Sequence, residues 1–190
     1  MRIIAGTHRG RPLISPRGDA TRPITDRVKQ SLFDKLASAG ALESAVVLDV
    51  FAGTGSMGIE CLSRGAAHAT FVEKHPDALE RLRENIALLR ETERSRIIEG
   101  NALSTSLADA LPRKDYTLLF IDPPYAMVTD EPKAQRLWKV LEKLRESCAP
   151  DAKLILRLEA HRPAPALAGW GGPDSAGYGS MALHLFHAAD

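Results

Sequence analysis

Two spacings of apolar residues alternate along the chain. Short aliphatic and β-branched runs at Ala45–Val50, Ala69–Glu73, Arg96–Glu99, Thr117–Ile121 and Leu154–Leu158 predict strands. Apolar residues at three- and four-residue steps predict helices over Asp26–Ala37, Met57–Arg64, Asp77–Arg90 and Pro132–Ser147. In the first helix Val28, Leu32 and Leu36 share a face, and Thr25 is placed to cap the start. In the third, Leu79, Leu82, Ile86 and Leu89 point inward. Pro132 stands in the first turn of the last helix, where a missing N–H costs nothing, and Ala134, Leu137, Leu141 and Leu144 make that helix's buried stripe. Met181–His187 alternates and predicts a last strand, whereas residues 163–180, rich in Gly, Pro and Ala, predict irregular chain.

Strands alternating with helices predict an α/β domain: a mostly parallel sheet with helices on both faces and ligands beyond the carboxyl ends of the strands. Residues 23–190 form that domain in this reading, and residues 1–22 a short arm or hairpin. The 190 residues are 44% hydrophobic, enough for one such core. No apolar run has the length of a membrane span, and the N-terminal residues lack the apolar stretch of a signal peptide. Cys61 and Cys148 have no metal-type spacing, and His8, His68, His75, His161, His184 and His187 show no ligand pattern. The expectation is a cytoplasmic protein with neither a metal nor a membrane partner.

Charge alters the picture at one end. The net charge is +1, yet residues 1–30 hold seven basic and two acidic residues, and the remainder is mildly acidic. Such a basic segment predicts a polyanionic partner, with a solvated tail as the alternative.

The candidate chemistry lies after the first and fourth strands. Gly53, Gly55 and Gly58 spell the dinucleotide pattern G-x-G-x-x-G, and Glu73 follows Gly53 by 20 residues, where an acid can bind ribose hydroxyls. Taken alone, this pattern describes a nicotinamide site. The fourth strand runs into Asp122-Pro123-Pro124-Tyr125, a loop stiffened by two prolines. An exocyclic amine on a base is a poor nucleophile because its lone pair is delocalised. A carboxylate and a backbone carbonyl, each binding one N–H, pull that nitrogen towards tetrahedral geometry. Asp122 and the carbonyl of Pro123 suit this task, and Tyr125 can stack on the base.

The run Asp49-Val50-Phe51-Ala52-Gly53-Thr54-Gly55 resembles the first motif of the S-adenosylmethionine (SAM)-dependent methyltransferases. The resemblance implies a Rossmann-like sheet with an antiparallel C-terminal strand. It also implies a cofactor site made of Asp49, Ala52, Gly53, Thr54, Gly55, Glu73, Lys74, Asn101, Ala102 and Asp122. Asn101 stands where that family usually has aspartate. Asp-Pro-Pro-Tyr resembles the motif of amino-methyltransferases. Met1–Gly6, Arg9-Gly10-Arg11 and Arg22–Lys29 resemble the N-terminal pattern of the bacterial small-subunit rRNA guanine-N2 methyltransferases. That likeness continues through Ser63–Ala66, Val72–Lys74 and Tyr178-Gly179. It implies methyl transfer from SAM to the N2 amine of a guanine, with Asp122, Pro123 and Tyr125 catalytic. It further implies Arg2, Arg9, Arg11, Arg22 and Arg27 on the phosphates of small-subunit rRNA in a partly assembled 30S particle. The alternatives are an adenine-N6 methyltransferase of DNA or RNA, a protein-glutamine methyltransferase, and a non-enzymatic rRNA-assembly factor with a SAM fold.

Overall fold

The computed structural model describes residues 1–15 and 24–189. The chain divides into two compact units, Met1–Glu99 and Gly100–Asp190.

In the first unit, helix α1 (Asp26–Ser38) starts where Thr25 accepts a hydrogen bond from the Val28 N–H, and it buries Val28, Leu32 and Leu36 as the spacing requires. Strand β1 (Val46–Val50) is buried at every position. Helix α2 (Ser56–Ser63), strand β2 (His68–Glu73), helix α3 (Pro76–Leu88) and strand β3 (Ser95–Glu99) follow. The strands lie parallel in the order β3-β2-β1, with Val50 beside Val72 and Glu73 beside Glu99. Val47, Leu48, Ile59, Phe71 and Leu82 are fully enclosed between this sheet and its helices.

The second unit holds a short helix α4 (Leu107–Ala110), strand β4 (Tyr116–Ile121), a short helix α5 (Tyr125–Thr129), helix α6 (Glu131–Leu144) and strands β5 (Cys148–Glu159), β6 (Trp170–Tyr178) and β7 (Met181–Ala188). Helix α6 is capped by the Asp130 carboxylate and buries Ala134, Leu137, Leu141 and Leu144, the predicted stripe, together with Trp138. Strand β4 runs parallel to β5, while β7 lies antiparallel to both β5 and β6. The mixed α/β reading therefore holds, mostly parallel with antiparallel strands at the C-terminal end.

One segment departs from expectation. Residues 170–178 were expected to be irregular and form β6. Their composition disfavours a strand, but a tight turn at Gly179, with φ of 63°, folds them back onto β7. The ladder shifts register between Gly171 and Asp174, and Pro173 sits in that irregularity, where no ladder N–H is required.

Candidate functional site

The glycine loop is fixed by the register of β1 on β2. With Val50 beside Val72, the chain leaving β1 passes the end of β2, and Ala52 N–H donates to the Val72 carbonyl at 3.1 Å. Gly53 N–H then donates to Glu73 Oε2 at 2.8 Å. The other oxygen of Glu73 accepts from the N–H groups of Lys74 and His75, at 2.8 and 2.9 Å. Glu73 is thus a buried clamp on the loop, with three of about four acceptor positions filled. Sequence reasoning gave it to a ligand and missed this second task.

Each glycine has its own reason. Gly53 and Gly55 adopt φ of 56° and 87°, and Phe51, with φ of 63°, holds a conformation that non-glycine residues seldom take. A Cβ on Gly55 would come within 2.5 Å of Leu82, and one on Gly58 within 2.4 Å of Phe71, so these two permit close packing. A Cβ on Gly53 would meet nothing within 4 Å. That open flank beside an acidic clamp fits a ligand with ribose hydroxyls. Asp49 is buried and accepts from the Gly58 N–H at 2.9 Å, which ties the loop to the start of α2. Thr54 is buried and its carbonyl accepts from Asn85 at 3.0 Å.

The same Asn85, fully buried on α3, holds the N-terminal segment. Its amide accepts from Ile14 N–H at 2.8 Å and donates to the Ile14 carbonyl at 3.1 Å. Residues 1–13 make a hairpin, with Ile3 N–H bound to the Arg11 carbonyl and Gly10 N–H to that of Ile3. Its turn rests on α2. The N–H groups of Ile4 and Ala5 both donate to the buried carboxylate of Glu60, and Thr7 N–H reaches the Ser63 carbonyl. At Gly6 a Cβ would lie 1.8 Å from the Ser63 carbonyl oxygen, so only glycine allows this contact. Lys29, 1% exposed, pairs with Glu60 at 2.9 Å and donates to Ser56 Oγ at 3.1 Å. Burial opposes the Glu60 charge, but Lys29, the Ile4 N–H and Arg64 outweigh it and hold the carboxyl below its usual range. Asn85 and the Lys29–Glu60 pair escaped sequence reasoning, although Glu60 inside the apolar run of α2 was the available signal.

Of the arginines assigned to nucleic acid, Arg9, Arg11 and Arg27 are exposed. Arg2 is exposed as well but pairs with Asp26 at 2.8 Å. Arg22 lies outside the described residues.

In the second unit, β4 delivers Asp122 at its carboxyl end. Pro123 is buried, and Pro124 starts α5, its carbonyl accepting from Met127 N–H at 2.8 Å. Tyr125 is the first residue of α5 and is half-buried. Arg157 of β5 places Nε 2.6 Å from Asp122 Oδ1. The opposite charge and the hydrogen bonding of the guanidinium both favour the ionised carboxylate. Oδ1 is buried while the side chain as a whole is 33% exposed, so the accessible part lies away from Arg157. Desolvation pushes the carboxyl up to about 6 against the lowering effect of Arg157. Arg157 was not singled out in the sequence, yet a charge within the run LILRL was a signal. Asn101 is exposed and accepts from Leu103 N–H at 3.0 Å, shaping a turn, and Ala102 is buried. His184 bonds Ser175 and Trp170 donates to the Leu141 carbonyl, so both have structural partners.

The family described as conserved hypothetical protein 95 matches residues 1–187. Among curated relatives, the chain is 36% identical over 125 residues to YlbH of Bacillus subtilis, a candidate rRNA methyltransferase, covering 66% of this chain and 67% of that one. It is 39% identical over 125 residues to ribosomal RNA small subunit methyltransferase D of Escherichia coli, covering 66% of this chain and 60% of that protein. The matched part therefore spans roughly two thirds or less of those relatives. Among solved structures, Escherichia coli yhhF, a candidate methyltransferase, superposes with a TM-score of 0.82 at 32% identity, over 99% of this chain and 97% of the other.

Proposed function

The chain belongs to the conserved hypothetical protein 95 family, a family of small-subunit rRNA methyltransferases, and on that premise we propose that it transfers a methyl group from SAM to the N2 amine of a guanine in small-subunit rRNA. The observation that carries this reading is the stiff Asp122-Pro123-Pro124-Tyr125 loop at the end of β4, with part of the Asp122 side chain open. Bound SAM supplies an electrophilic methyl group on a cationic sulfonium. Asp122 accepts one N–H of the target amine and the Pro123 carbonyl accepts the other, which localises the nitrogen lone pair. Tyr125 stacks on the splayed base. Gly53 and Gly55 line the cofactor, with Ala52, Thr54 and Lys74 flanking them. Asp49 holds the cofactor's ammonium end, Glu73 accepts from its ribose, and Asn101 and Ala102 bound its adenine.

Glu73→Ala is expected to weaken SAM binding by about 1–3 kcal/mol, because an ionised acceptor is lost and the Gly53 N–H loses its partner. Calorimetric titration measures this, and an unchanged affinity would place the cofactor elsewhere.

The exposed arginines Arg9, Arg11 and Arg27, with Arg2 and Arg22, contact phosphates without reading sequence. The preferred substrate is then a partly assembled 30S particle that presents one guanine, rather than a short oligonucleotide. Because the hairpin is packed on α2, charge reversal tests it more cleanly than deletion. Arg9→Glu with Arg11→Glu should flatten the salt dependence of RNA binding by about one unit of log–log slope per lost phosphate contact, leaving SAM binding intact. Nucleoside mass spectrometry of rRNA from a deletion strain tests the product. Loss of N2-methylguanine is expected, and loss of N6-methyladenine instead would overturn the base assignment.

A further inference from the structure

We propose that Arg157 is a positioning residue for the reaction: it takes up Oδ1 of Asp122, fixes the carboxylate rotamer, and leaves the remaining oxygen to receive the target amine. The inference rests on the reading of Asp122 as the amine acceptor and adds a residue that the Asp-Pro-Pro-Tyr motif does not contain.

The contact is built by strand register. Ile121 stands beside Leu156 in the parallel ladder of β4 and β5, so the next residues, Asp122 and Arg157, emerge side by side. Strand β5 is held on both edges, by β4 and by β7, where Arg157 pairs with Leu183. A residue so placed has little freedom to drift, and its side chain is only 12% exposed. Its partner atom, Oδ1, is buried, whereas the side chain that carries it is not. One oxygen is therefore anchored and the carboxylate cannot spin freely.

Arg157 also governs ionisation. Burial alone would protonate Asp122 near neutral pH, and a protonated carboxyl accepts an N–H poorly. On the neighbouring elements, β5 also carries Cys148, Asp151, Lys153 and Glu159, α5 carries Tyr125, and β7 carries His184 and His187. None of these contributes to its shift, and the guanidinium is the charge that opposes protonation. A neutral residue at 157 should raise the Asp122 carboxyl further and loosen its orientation.

The test is the pH dependence of single-turnover methyl transfer in the full chain, with parent, Arg157→Gln, Arg157→Met and Arg157→Lys compared. In the parent the acid limb is expected near the value of about 6 held by Asp122. In the Gln and Met variants it should rise by about 1–3 pH units, the span by which an adjacent opposite charge shifts a carboxylate. Activity should then return at alkaline pH, which a merely misfolded protein would not show. Arg157→Lys, which keeps the charge and loses the planar guanidinium, should hold the limb within about one unit of the parent with a lower kcat. Carbon-13 NMR of the Asp122 carboxyl reads the same shift without activity. It keeps the inference testable where turnover is too slow, and Arg157→Lys does so where the neutral variants fold poorly. A limb and a carboxyl titration unmoved in Arg157→Met, or a large shift in Arg157→Lys, would overturn the role of Arg157. Retained turnover in Asp122→Ala would instead overturn the reading on which it rests.

Discussion

Asp122→Ala is expected to abolish methyl transfer, a fall of about 10²–10³-fold or more, the size seen when a single preorganised transition-state contact is removed. SAM affinity should fall by less than about tenfold, roughly 1.4 kcal/mol, because Asp122 is assigned to the amine. Single-turnover kinetics beside calorimetry separates the two effects, and retained turnover would sink the mechanism. The pH dependence of stability should change as well. The folded-state value of about 6 lies above the ordinary 3.8. The stability this group contributes is therefore fully present below 3.8 and lost as pH rises through about 6. The stability difference between parent and variant should therefore move in the variant's favour as pH rises from 4 to 8, on top of the pH-independent cost of leaving Arg157 without its counter-charge.

The second large effect concerns Glu60→Gln, which leaves Lys29 buried without its counter-charge. Breaking a buried pair in this way costs about 3–5 kcal/mol. The amide can still accept one N–H from the hairpin but not the charge of Lys29, so the segment 1–13 should loosen as the whole unit weakens. Urea unfolding measures the first effect, and hydrogen exchange at the Ile4 and Ala5 amides the second. The pH dependence has a defined sign. The Glu60 carboxyl lies below its usual value of 4.5, so its stabilisation is present above that value and disappears as pH falls through the lower folded value. Replacing the pair together, Lys29→Met with Glu60→Leu, should recover much of the loss. A cost under about 1 kcal/mol with both amides still protected would contradict this account.

Legibility followed the range of the interactions. Strands β1, β2 and β4 and helices α1, α3 and α6 were visible because their apolar residues repeat at the period of the element, and in α1 and α6 most of the predicted stripe is the buried one. Strand β6 was invisible because Gly171, Gly172, Pro173, Asp174 and Gly177 carry no strand preference, and only the ladder to β7 makes them extended. Helices α4 and α5 are too short for a period to register. At the candidate site, the Asp122 loop and the glycines could be read because each is contiguous in sequence. The partners of Arg157, Asn85 and Glu60 could not, because they are set by strand register or by the docking of distant segments. Glu73 was half legible: its place at the end of β2 marked it, while its hydrogen bond to Gly53 depends on how the loop turns back.

The docked hairpin also imposes an order on synthesis. Its first residues leave the ribosome long before anything they bind: His8 waits for Glu91, 83 residues later, and Ile14 for Asn85, 71 residues later. At about 5–20 residues per second, that interval lasts roughly 4–17 s. The main chain of residues 4 and 5 waits a shorter time, 56 and 55 residues, for the Glu60 carboxylate that it grips. The hairpin, made before the rest of this unit, is therefore among the last of its segments to settle. An arrested nascent chain ending before α3 should expose its N-terminal segment to protease, and one extended past Glu91 and clear of the exit tunnel should protect it.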